Sequence, residues 1–370
     1  MRGLCQPGGV ELSAITVETL EPDSPDVGAV AHYGDPMREQ RTLDTAVGLV
    51  ERAHHGIIAI PGADRLEWLH SFTTQHLAGL APMTGTELLV LSPHGHVEHH
   101  AGFLDDGTTS WLDVEPGTAA GLLSFLDRMR FLMRVEPADV SADWALLSLV
   151  GPLTDEALVT LGVGPLLPPD VTPVPAAKFA AGSIPPRPTA AYAGAALDVG
   201  GWVRRVDGGA ELLVPRGAVP DLVAAAGVPL AGIWAYEAIR VAARRARFGF
   251  ETDHRTLPAE VGWTAPAVHL EKGCYRGQET VARVHNLGKP PRRLVFLHLD
   301  GSEVHLPGHG TPVRLAADGE EGRQLGFITT SARHHELGPI ALALVKRNVA
   351  VDAQLIAGDT AAAQETVVEP

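Results

Sequence analysis

The order of strand-like and helical segments constrains the fold of this chain most strongly. From Gly56 to Pro290, short apolar runs typical of strands alternate with helical stripes, without a regular βαβ repeat. After Pro290-Pro291 the remaining apolar runs are β-like, and turns that contain Gly and Asp separate them. This irregular mixture predicts an α+β core rather than a doubly wound sheet. The final runs predict a small C-terminal β-barrel or sandwich.

Local composition divides the chain into four parts. Residues 1–36 are rich in Pro, Gly, Asp and Glu and predict a loosely ordered tail, whereas residues 37–290 predict the α+β core. Residues 291–356 form the predicted barrel, and residues 357–370 are expected to be frayed. Prolines crowd residues 164–190, which predicts a connection or an insertion within the core.

Composition also excludes several functional classes. No apolar run among the 370 residues approaches the roughly 20 residues of a membrane-spanning helix, and the N-terminus lacks the apolar core of a signal peptide. The two cysteines, Cys5 and Cys274, lie far apart, which argues against a disulfide framework and predicts a reducing cytoplasm. The net charge of −15 argues against a protein that coats nucleic acid. We therefore expect a cytoplasmic protein without membrane or nucleic-acid partners.

Known nucleotide and zinc motifs do not occur in the sequence. It contains no Gly-x-x-x-x-Gly-Lys-Ser/Thr loop, no Cys-x-x-Cys pair and no His-Glu-x-x-His helix. A histidine cluster at His94, His96, His99 and His100 suggests a metal site, but alternation along a strand puts His99 and His100 on opposite faces. We therefore predict no metal site.

The segment Ile233–Arg247 predicts a helix that is rich in alanine and arginine. Its arginines, Arg240, Arg244, Arg245 and Arg247, are expected to form a solvated face, with contact to an anionic ligand as the alternative.

The segment Lys272–Arg283 carries the most informative local chemistry. Cys274 lies between two glycines, with Lys272 two residues before it and Arg276 two residues after it. Nearby cations lower the pKa of a thiol and make it reactive, so Cys274 is a candidate functional thiol. A tight turn around an inert cysteine is the alternative. Catalysis of the cysteine-protease type would need a positioned histidine, and the sequence does not place one.

The octapeptide Lys272–Glu279, Lys-Gly-Cys-Tyr-Arg-Gly-Gln-Glu, closely resembles the hallmark of the YgfZ-type folate-binding proteins. These are relatives of the glycine-cleavage aminomethyltransferase (T-protein). Weaker similarities lie at Leu91–Val97, at Leu257–Gly262 and at Arg292–Leu294. Together they extend the resemblance over roughly residues 40–350.

The resemblance implies a three-domain cloverleaf in which two intertwined subdomains and the barrel surround a pocket for tetrahydrofolate or a derivative. It also implies an accessory role in the assembly, repair or maintenance of iron–sulfur enzymes, with those enzymes or cluster-assembly factors as partners. Cys274 would be the working thiol, in transient contact with a cluster or with a redox or folate-linked group. Lys272 and Arg276 would stabilise its thiolate, and Gln278 and Glu279 would orient the loop or contact the ligand.

Three further residues are implied as cofactor contacts. Glu211 matches the family's glutamate that holds the pterin ring, and a carboxylate can accept two parallel N–H bonds from an amino-pyrimidine edge. Arg240 matches a helix arginine of the family, although Ala242 stands where the family often has glutamate. His99 and His100 stand where aminomethyltransferases carry paired aspartates, and a histidine such as His99 could shuttle a proton.

The missing carboxylates favour a protein that is not a transferase, so we lean against enzyme activity. A tetrahydrofolate-dependent aminomethyltransferase is one alternative. A non-catalytic interaction module of the same fold is another.

Overall fold

The computed structural model describes residues 18–20, 24–166, 170–172, 189–286, 288–302, 305–319 and 321–369. The strands of these residues are β1 Glu18–Thr19, β2 Val30–His32, β3 Gly48–Glu51, β4 Gly56–Pro61, β5 Thr84–Leu91, β6 Val97–Asp105, β7 Thr109–Val114, β8 Ala138–Asp139, β9 Trp144–Val150, β10 Asp170–Thr172, β11 Thr189–Ala196, β12 Trp202–Val206, β13 Gly209–Pro215, β14 Leu230–Ala231, β15 Arg292–Leu299, β16 Pro312–Leu315, β17 Gly326–His334, β18 Gly338–Lys346, β19 Leu355–Ala357 and β20 Thr360–Thr366. The helices are α1 Pro36–Thr45, α2 Arg65–Phe72, α3 Ala119–Met129, α4 Thr154–Thr160, α5 Val219–Ala226, α6 Ile233–Ala242, α7 Thr264–Ala267 and α8 Gln278–Asn286.

One large sheet organises the core. In the part of the chain that the structure describes, its strands follow the order β14-β3-β9-β13-β12-β11-β5-β6-β7-β4-β8, and β10 pairs with β11. Helices α2 and α3 bury apolar side chains such as Trp68, Leu122 and Phe125 against β4 to β7. Helices α4 and α5 cover β9, β12 and β13 in the same way, with Leu158 and Leu222 buried. The two apolar clusters lie under separate helix pairs, and the strands that carry them also carry the polar side chains described below.

The β5–β6 hairpin confirms the strand and turn predicted around Gly95. Ser92 accepts the N–H of Gly95 at 2.9 Å, and Gly95 has a φ of 81°. A positive φ is accessible to glycine without steric cost, so this position suits the tight turn. The register shifts between Val90 and Leu91, which adjusts the strand as it enters the turn.

A closed barrel follows the core, as the sequence predicted. Its strands run in the order β15-β18-β17-β16-β19-β20, and β20 closes the ring by pairing with β15. The expectation of a frayed segment at residues 357–370 is therefore wrong for Thr360–Thr366. This strand is rich in Ala and Thr, and its weak local signal is compensated by partners on both sides.

The expected tail at residues 1–36 is also ordered in part. Val30–His32 pairs with Glu18–Thr19 as an antiparallel ribbon, and Asp35 accepts the backbone N–H groups of Met37 and Arg38 as the N-cap of α1. Residues 1–17 and 21–23 lie outside the described residues. Ala29 of this segment packs into an apolar cluster with Val150, Ala231 and Ile233, so part of its order comes from partners that are distant in the chain.

Helix α6 is shorter than the predicted Ile233–Arg247. It ends at Ala242, and Arg244 adopts a φ of 57° that is incompatible with a continuing right-handed helix. The turn that follows directs Arg247 into the core, where it is 6% exposed, and Arg240 is 4% exposed. The expected solvated face is therefore wrong for these two arginines.

Most of the proline-rich region 164–190 lies outside the described residues, apart from residues 164–166, the short strand β10 and the start of β11. No helix in the described ranges is long and apolar enough to cross a membrane. The division of residues 37–290 into two intertwined subdomains stays a prediction.

Candidate functional site

A polar pocket of about 130 Å³ lies between the two halves of the large sheet and helix α6. It is smaller than the roughly 300–1,000 Å³ of pockets that enclose a whole small ligand, so it suits one ring system of a larger molecule. The charged and polar residues that line it are Arg52, His55, Glu87, His100, Asp113, Glu115, Ser148, Tyr192, Arg204, Asp207, Glu211, Tyr236, Arg240, Arg245 and Arg247.

A buried network of two arginines and two acids forms one wall of this pocket. Glu211 lies opposite Arg204 in the β12–β13 pair, and Arg204 Nε donates to Glu211 Oε2 at 2.9 Å. Arg52 NH1 donates to Glu211 Oε1 at 2.8 Å, and Arg204 NH2 lies 2.6 Å from Asp113 Oδ1. A Cβ atom at Gly102 would collide with Arg204 and Asp113. The glycine therefore leaves room for the guanidinium to cross the sheet.

The two carboxyl groups of this network have opposite pKa shifts. Burial raises the pKa of Glu211, but the charges of Arg204 and Arg52 outweigh burial and lower it to about 2. Burial raises the pKa of Asp113 more than Arg204 lowers it, and the charge of Glu211 adds to the rise. Asp113 is thus the carboxyl group of this pair that can hold a proton, whereas Glu211 stays ionised.

We expect Glu211 to make the folded protein more sensitive to acid. Its pKa is about 2 in the folded chain and 4.5 for the free group, so its stabilising contribution is complete above pH 4.5 and is lost as the pH falls towards 2. The loss is about 3 kcal/mol. Urea unfolding at a series of pH values should show a steeper decline for the wild type than for Glu211→Gln. Equal slopes in the two proteins would contradict this assignment.

His100 is part of a second polar group on the pocket wall. Its Nε2 lies 3.0 Å from Glu87 Oε2, and the hydroxyl group of Tyr192 donates to Glu87 Oε1 at 2.8 Å. The imidazole stacks on Trp263, with ring centroids 4.5 Å apart and planes 16° apart. The glutamate orients His100, and the indole fixes the plane of its ring. His100 therefore faces the pocket in a defined orientation.

His99 lies on the other face of β6, as strand alternation predicted. Its ring centroid is 6.3 Å from that of Phe125 on α3, and it does not line the pocket. Burial among these apolar side chains lowers the pKa of His99. The structure thus does not bring His99 to the expected cofactor site, and its neighbour His100 takes that place. The sequence alone could not decide between the two faces of the strand.

Arg240 lies at the pocket, but the protein itself uses all of its donors. Its Nε and NH2 donate to Glu237 at 2.9 and 2.8 Å, and its NH1 donates to Glu251 at 3.0 Å. The remaining N–H groups donate to the Arg245 carbonyl at 2.5 Å and to Thr330 Oγ1 at 3.1 Å. Because a guanidinium has five N–H groups, none is left for a ligand in this arrangement. Cofactor contact by Arg240 stays a prediction.

Arg247 joins the N-terminal segment to the pocket. It donates from NH1 to Asp26 Oδ2 at 2.9 Å and from Nε to Glu115 Oε2 at 2.7 Å, and its NH2 also bonds to Asp26. Asp26 additionally lies 3.0 Å from His54 Nε2. Burial raises the pKa of Asp26, but Arg247 and His54 outweigh it and hold the pKa far below its usual value. Asp26 thus carries a full negative charge inside the protein.

The cysteine loop lies behind the pocket and does not line it. Cys274 is exposed, whereas Tyr275 is buried in an apolar cluster that also contains Trp263. Trp263 therefore belongs to the same apolar cluster as Tyr275 of the loop and also stacks on His100. Gln278 donates to the Lys272 carbonyl at 3.2 Å and so braces the loop, whereas Glu279 is exposed.

Both cations expected beside the thiol have other partners in the structure. Lys272 Nζ donates to the carbonyl groups of His70, Thr73 and Gln75 at 2.5, 2.6 and 2.9 Å. These carbonyl groups lie at and beyond the C-terminus of α2, where a positive charge is stabilising. Burial lowers the pKa of Lys272 to about 8.

Arg276 forms an ion pair with Glu98, with NH1 2.6 Å from Oε2. Lys272 and Arg276 thus fasten the loop to the core through partners that are far away in the chain. Their role beside the thiolate stays a prediction.

Two glycines allow the cysteine loop to lie directly against the β5–β6 turn. A Cβ atom at Gly277 would lie 2.6 Å from the Ser92 carbonyl oxygen, and one at Gly95 would lie 2.7 Å from Thr280 Cβ. Both separations are shorter than real contacts allow. The packing of the two turns therefore requires glycine at both positions.

The fold and much of the sequence resemble known aminomethyltransferases. The crystal structure of aminomethyltransferase T of the glycine cleavage system from Bartonella henselae superposes with a TM-score of 0.73 and 17% identity, over 94% of this chain and 92% of that one. The chain has the aminomethyltransferase fold. This finding confirms the predicted α+β architecture with its C-terminal barrel.

Sequence relatives agree with the aminomethyltransferase fold. The aminomethyltransferase of Symbiobacterium thermophilum is 28% identical over 309 residues, covering 81% of this chain and 78% of the relative. A chloroplastic protein of Arabidopsis thaliana, described as a transferase without a stated substrate, is 25% identical over 331 residues, covering 87% and 71%. No protein-family model matches the chain.

Sequence reasoning missed most of the charged pocket wall. Arg52, Asp113 and Arg204 lie in or beside apolar strand segments and carry no motif, whereas Arg247 was predicted only as part of an arginine-rich helix with a solvated face. The only available signal was the Gly208-Gly209 turn, which pairs Arg204 with Glu211 across the β12–β13 hairpin.

Proposed function

We propose that this protein binds tetrahydrofolate or a derivative in the central pocket. The proposal is supported by the aminomethyltransferase fold, by relatives named as aminomethyltransferases, and by the position of Glu211 on the pocket wall. Glu211 keeps its charge and accepts three hydrogen bonds from two arginines, so about one of its four lone pairs is left to accept an N–H group of a pterin edge. The size of the enclosed space fits the ring of such a ligand, with its tail towards the opening.

We further propose an accessory role for iron–sulfur enzymes, in the reducing cytoplasm, rather than aminomethyl transfer. The observation that carries this choice is His100, an imidazole on the pocket wall at a position where the resemblance implies a carboxylate. Cys274 is exposed and can meet a protein partner, a cluster or a redox partner. Its Lys-Gly-Cys-Tyr-x-Gly-Gln-Glu loop is coupled to the pocket through Trp263.

Asp113 favours the transferase as a second candidate. It is a buried carboxyl group with a raised pKa in the same pocket, one strand away from His100. Such a group could take over the acid–base work of the missing aspartates. A transferase predicts formation of methylenetetrahydrofolate from tetrahydrofolate and an aminomethyl donor, and the accessory role predicts none.

Titration with 5-formyltetrahydrofolate tests the binding proposal. Trp263 lies against His100 on the pocket wall, so occupation of the pocket should change tryptophan fluorescence. Saturable quenching or a spectral shift supports folate binding. If fluorescence does not change and calorimetry detects no binding, folate binding is refuted. The non-catalytic interaction module then remains as the function.

Replacing Cys274 by serine should leave folding and folate binding unchanged, because the side chain is exposed and lies outside the pocket. If the thiol does the work, the variant should not restore iron–sulfur enzyme activity to a strain that lacks the gene. Ser302 is an exposed loop residue and serves as the control position. The variant Ser302→Ala should restore activity as the wild type does. Full rescue by Cys274→Ser would refute the thiol mechanism.

A further inference from the structure

Three potential metal ligands meet where helix α1 touches the turn between β17 and β18. One carboxylate oxygen each of Asp44 and Glu336 and one ring nitrogen of His335 all lie within 4.8 Å of one another. None of these residues lines the central pocket. They join the first helix of the core to the C-terminal barrel. Asp44 and His335 are 291 positions apart in the sequence.

Gln40 holds the two elements in this arrangement. Its Nε2 donates to the Arg333 carbonyl at 2.9 Å, and its Oε1 accepts the backbone N–H of His335 at 2.8 Å. Asp44 follows Gln40 by four residues and therefore lies on the same face of α1, one turn further on. The backbone of the turn is thus fixed before any ion binds, and the geometry directs His335 towards Asp44.

The ring of His335 provides a second, independent observation. Its side chain is only 2% exposed, and Nε2 lies 3.4 Å from Asp44 Oδ2. Nevertheless, Nε2 has no hydrogen-bond partner among the described residues. A buried nitrogen without a partner is costly, and an available lone pair beside two carboxylates is a ready metal ligand.

The neighbouring His334 does not compete for the ion through its Nδ1. That atom accepts the backbone N–H groups of Glu336 and Leu337 at 3.2 and 3.3 Å. These bonds shape the turn that presents His335 and Glu336 side by side. The two histidines therefore have separate tasks, one in the turn and one at the ligand cluster.

We propose that Asp44, His335 and Glu336 bind one divalent cation of the zinc class. An imidazole nitrogen with two carboxylates suits Zn²⁺, whereas Mg²⁺ and Ca²⁺ prefer oxygen ligands alone. Tetrahedral bonds of about 2.0–2.2 Å place ligand atoms roughly 3.4 Å apart, so the carboxylates must close by at most about 1.4 Å. Both carboxylate residues are exposed and free to rotate. The bound ion ties α1 to the barrel, and water fills its fourth position.

Co²⁺ and Zn²⁺ titrations of the full-length, chelator-treated protein test this site. Wild type should bind Co²⁺ with a visible absorption band that Zn²⁺ displaces, and Zn²⁺ should raise its melting temperature. His335→Gln should remove this binding step, and Glu336→Gln should weaken it about tenfold or more, since even groups behind the ligands contribute that much to affinity. Asp44→Asn should act like Glu336→Gln.

His298→Gln is the matched control, because His298 also pairs with a carboxylate, Glu365, at an exposed position on the barrel. It should bind Co²⁺ like the wild type, which separates this site from weak binding by the other histidines. If His335→Gln does not fold, the two exposed carboxylate variants decide the question. Unchanged Co²⁺ affinity and an unchanged Zn²⁺-dependent melting temperature in those variants overturn the proposal, as does a wild type that binds neither ion.

Discussion

Replacing Glu251 by alanine lowers the free energy of unfolding by about 3–5 kcal/mol. Its side chain is fully buried and accepts from Arg240 NH1 at 3.0 Å and from the Arg247 backbone N–H at 2.8 Å. It also accepts from the hydroxyl groups of Thr329 and Thr330 of the barrel at 2.8 and 2.6 Å. Alanine removes one of the two carboxylates that neutralise the buried guanidinium of Arg240. It also removes the polar link between α6 and the barrel.

Denaturant unfolding of the purified protein measures this loss. Glu365→Ala is the control, since Glu365 is 45% exposed and its pairs with Arg244 and His298 are screened by water. We expect that control to cost less than about 1 kcal/mol. Similar losses in the two variants would show that Glu251 is not a special link between the core and the barrel.

Replacing Glu211 by glutamine lowers the affinity for 5-formyltetrahydrofolate by roughly 10–100-fold, as expected for loss of a hydrogen bond to a charged group. The oxygen atoms of Glu211 already accept three hydrogen bonds from arginines: from Arg52 at 2.8 Å, from Arg204 Nε at 2.9 Å and from Arg204 NH2. A carboxylate has about four lone pairs, so one remains for the ligand. Glutamine replaces one acceptor by an N–H donor, which repels the N–H groups of the pterin edge.

Fluorescence titration of both proteins measures the change, and circular dichroism checks that the variant is folded. Glu98→Gln makes the same substitution in the pair with Arg276, outside the pocket lining, and should leave folate affinity unchanged. Equal affinities of wild type and Glu211→Gln would remove Glu211 from the binding site. An equal loss in both variants would point to a general effect of charge.

The sequence was informative wherever structure depends on neighbours in the chain. The turn at Gly95 and the β-like runs after Pro291 follow from local patterns, and the structure has the hairpin and the barrel there. The alternation along Val97–Asp105 also predicted that His99 and His100 diverge. The packing of α3 and Trp263 against β6 determines which of these two faces meets the pocket. This packing involves residues that are distant in the sequence, so local patterns do not reveal it.

Partners that are distant in sequence explain the features that could not be predicted. Asp113 and Arg204 occur singly in strands, and only the folded sheet brings them together. Lys272 reaches carbonyl groups about 200 residues earlier in the chain, and its position near Cys274 does not reveal them. The final strand, Thr360–Thr366, likewise depends on β15 and β19 for its order.

The ion pair between Asp26 and Arg247 has a consequence for synthesis of the protein on the ribosome. The two residues are 221 positions apart, and a chain grows by about 5–20 residues per second. Arg247 is therefore added roughly 10–40 s after Asp26. During that time the N-terminal segment cannot take its final place, and the nascent core stays open on this side. The pocket is thus completed only after Arg247 has been synthesised. Until then, the side of the core that Asp26 covers is accessible to chaperones that bind nascent chains.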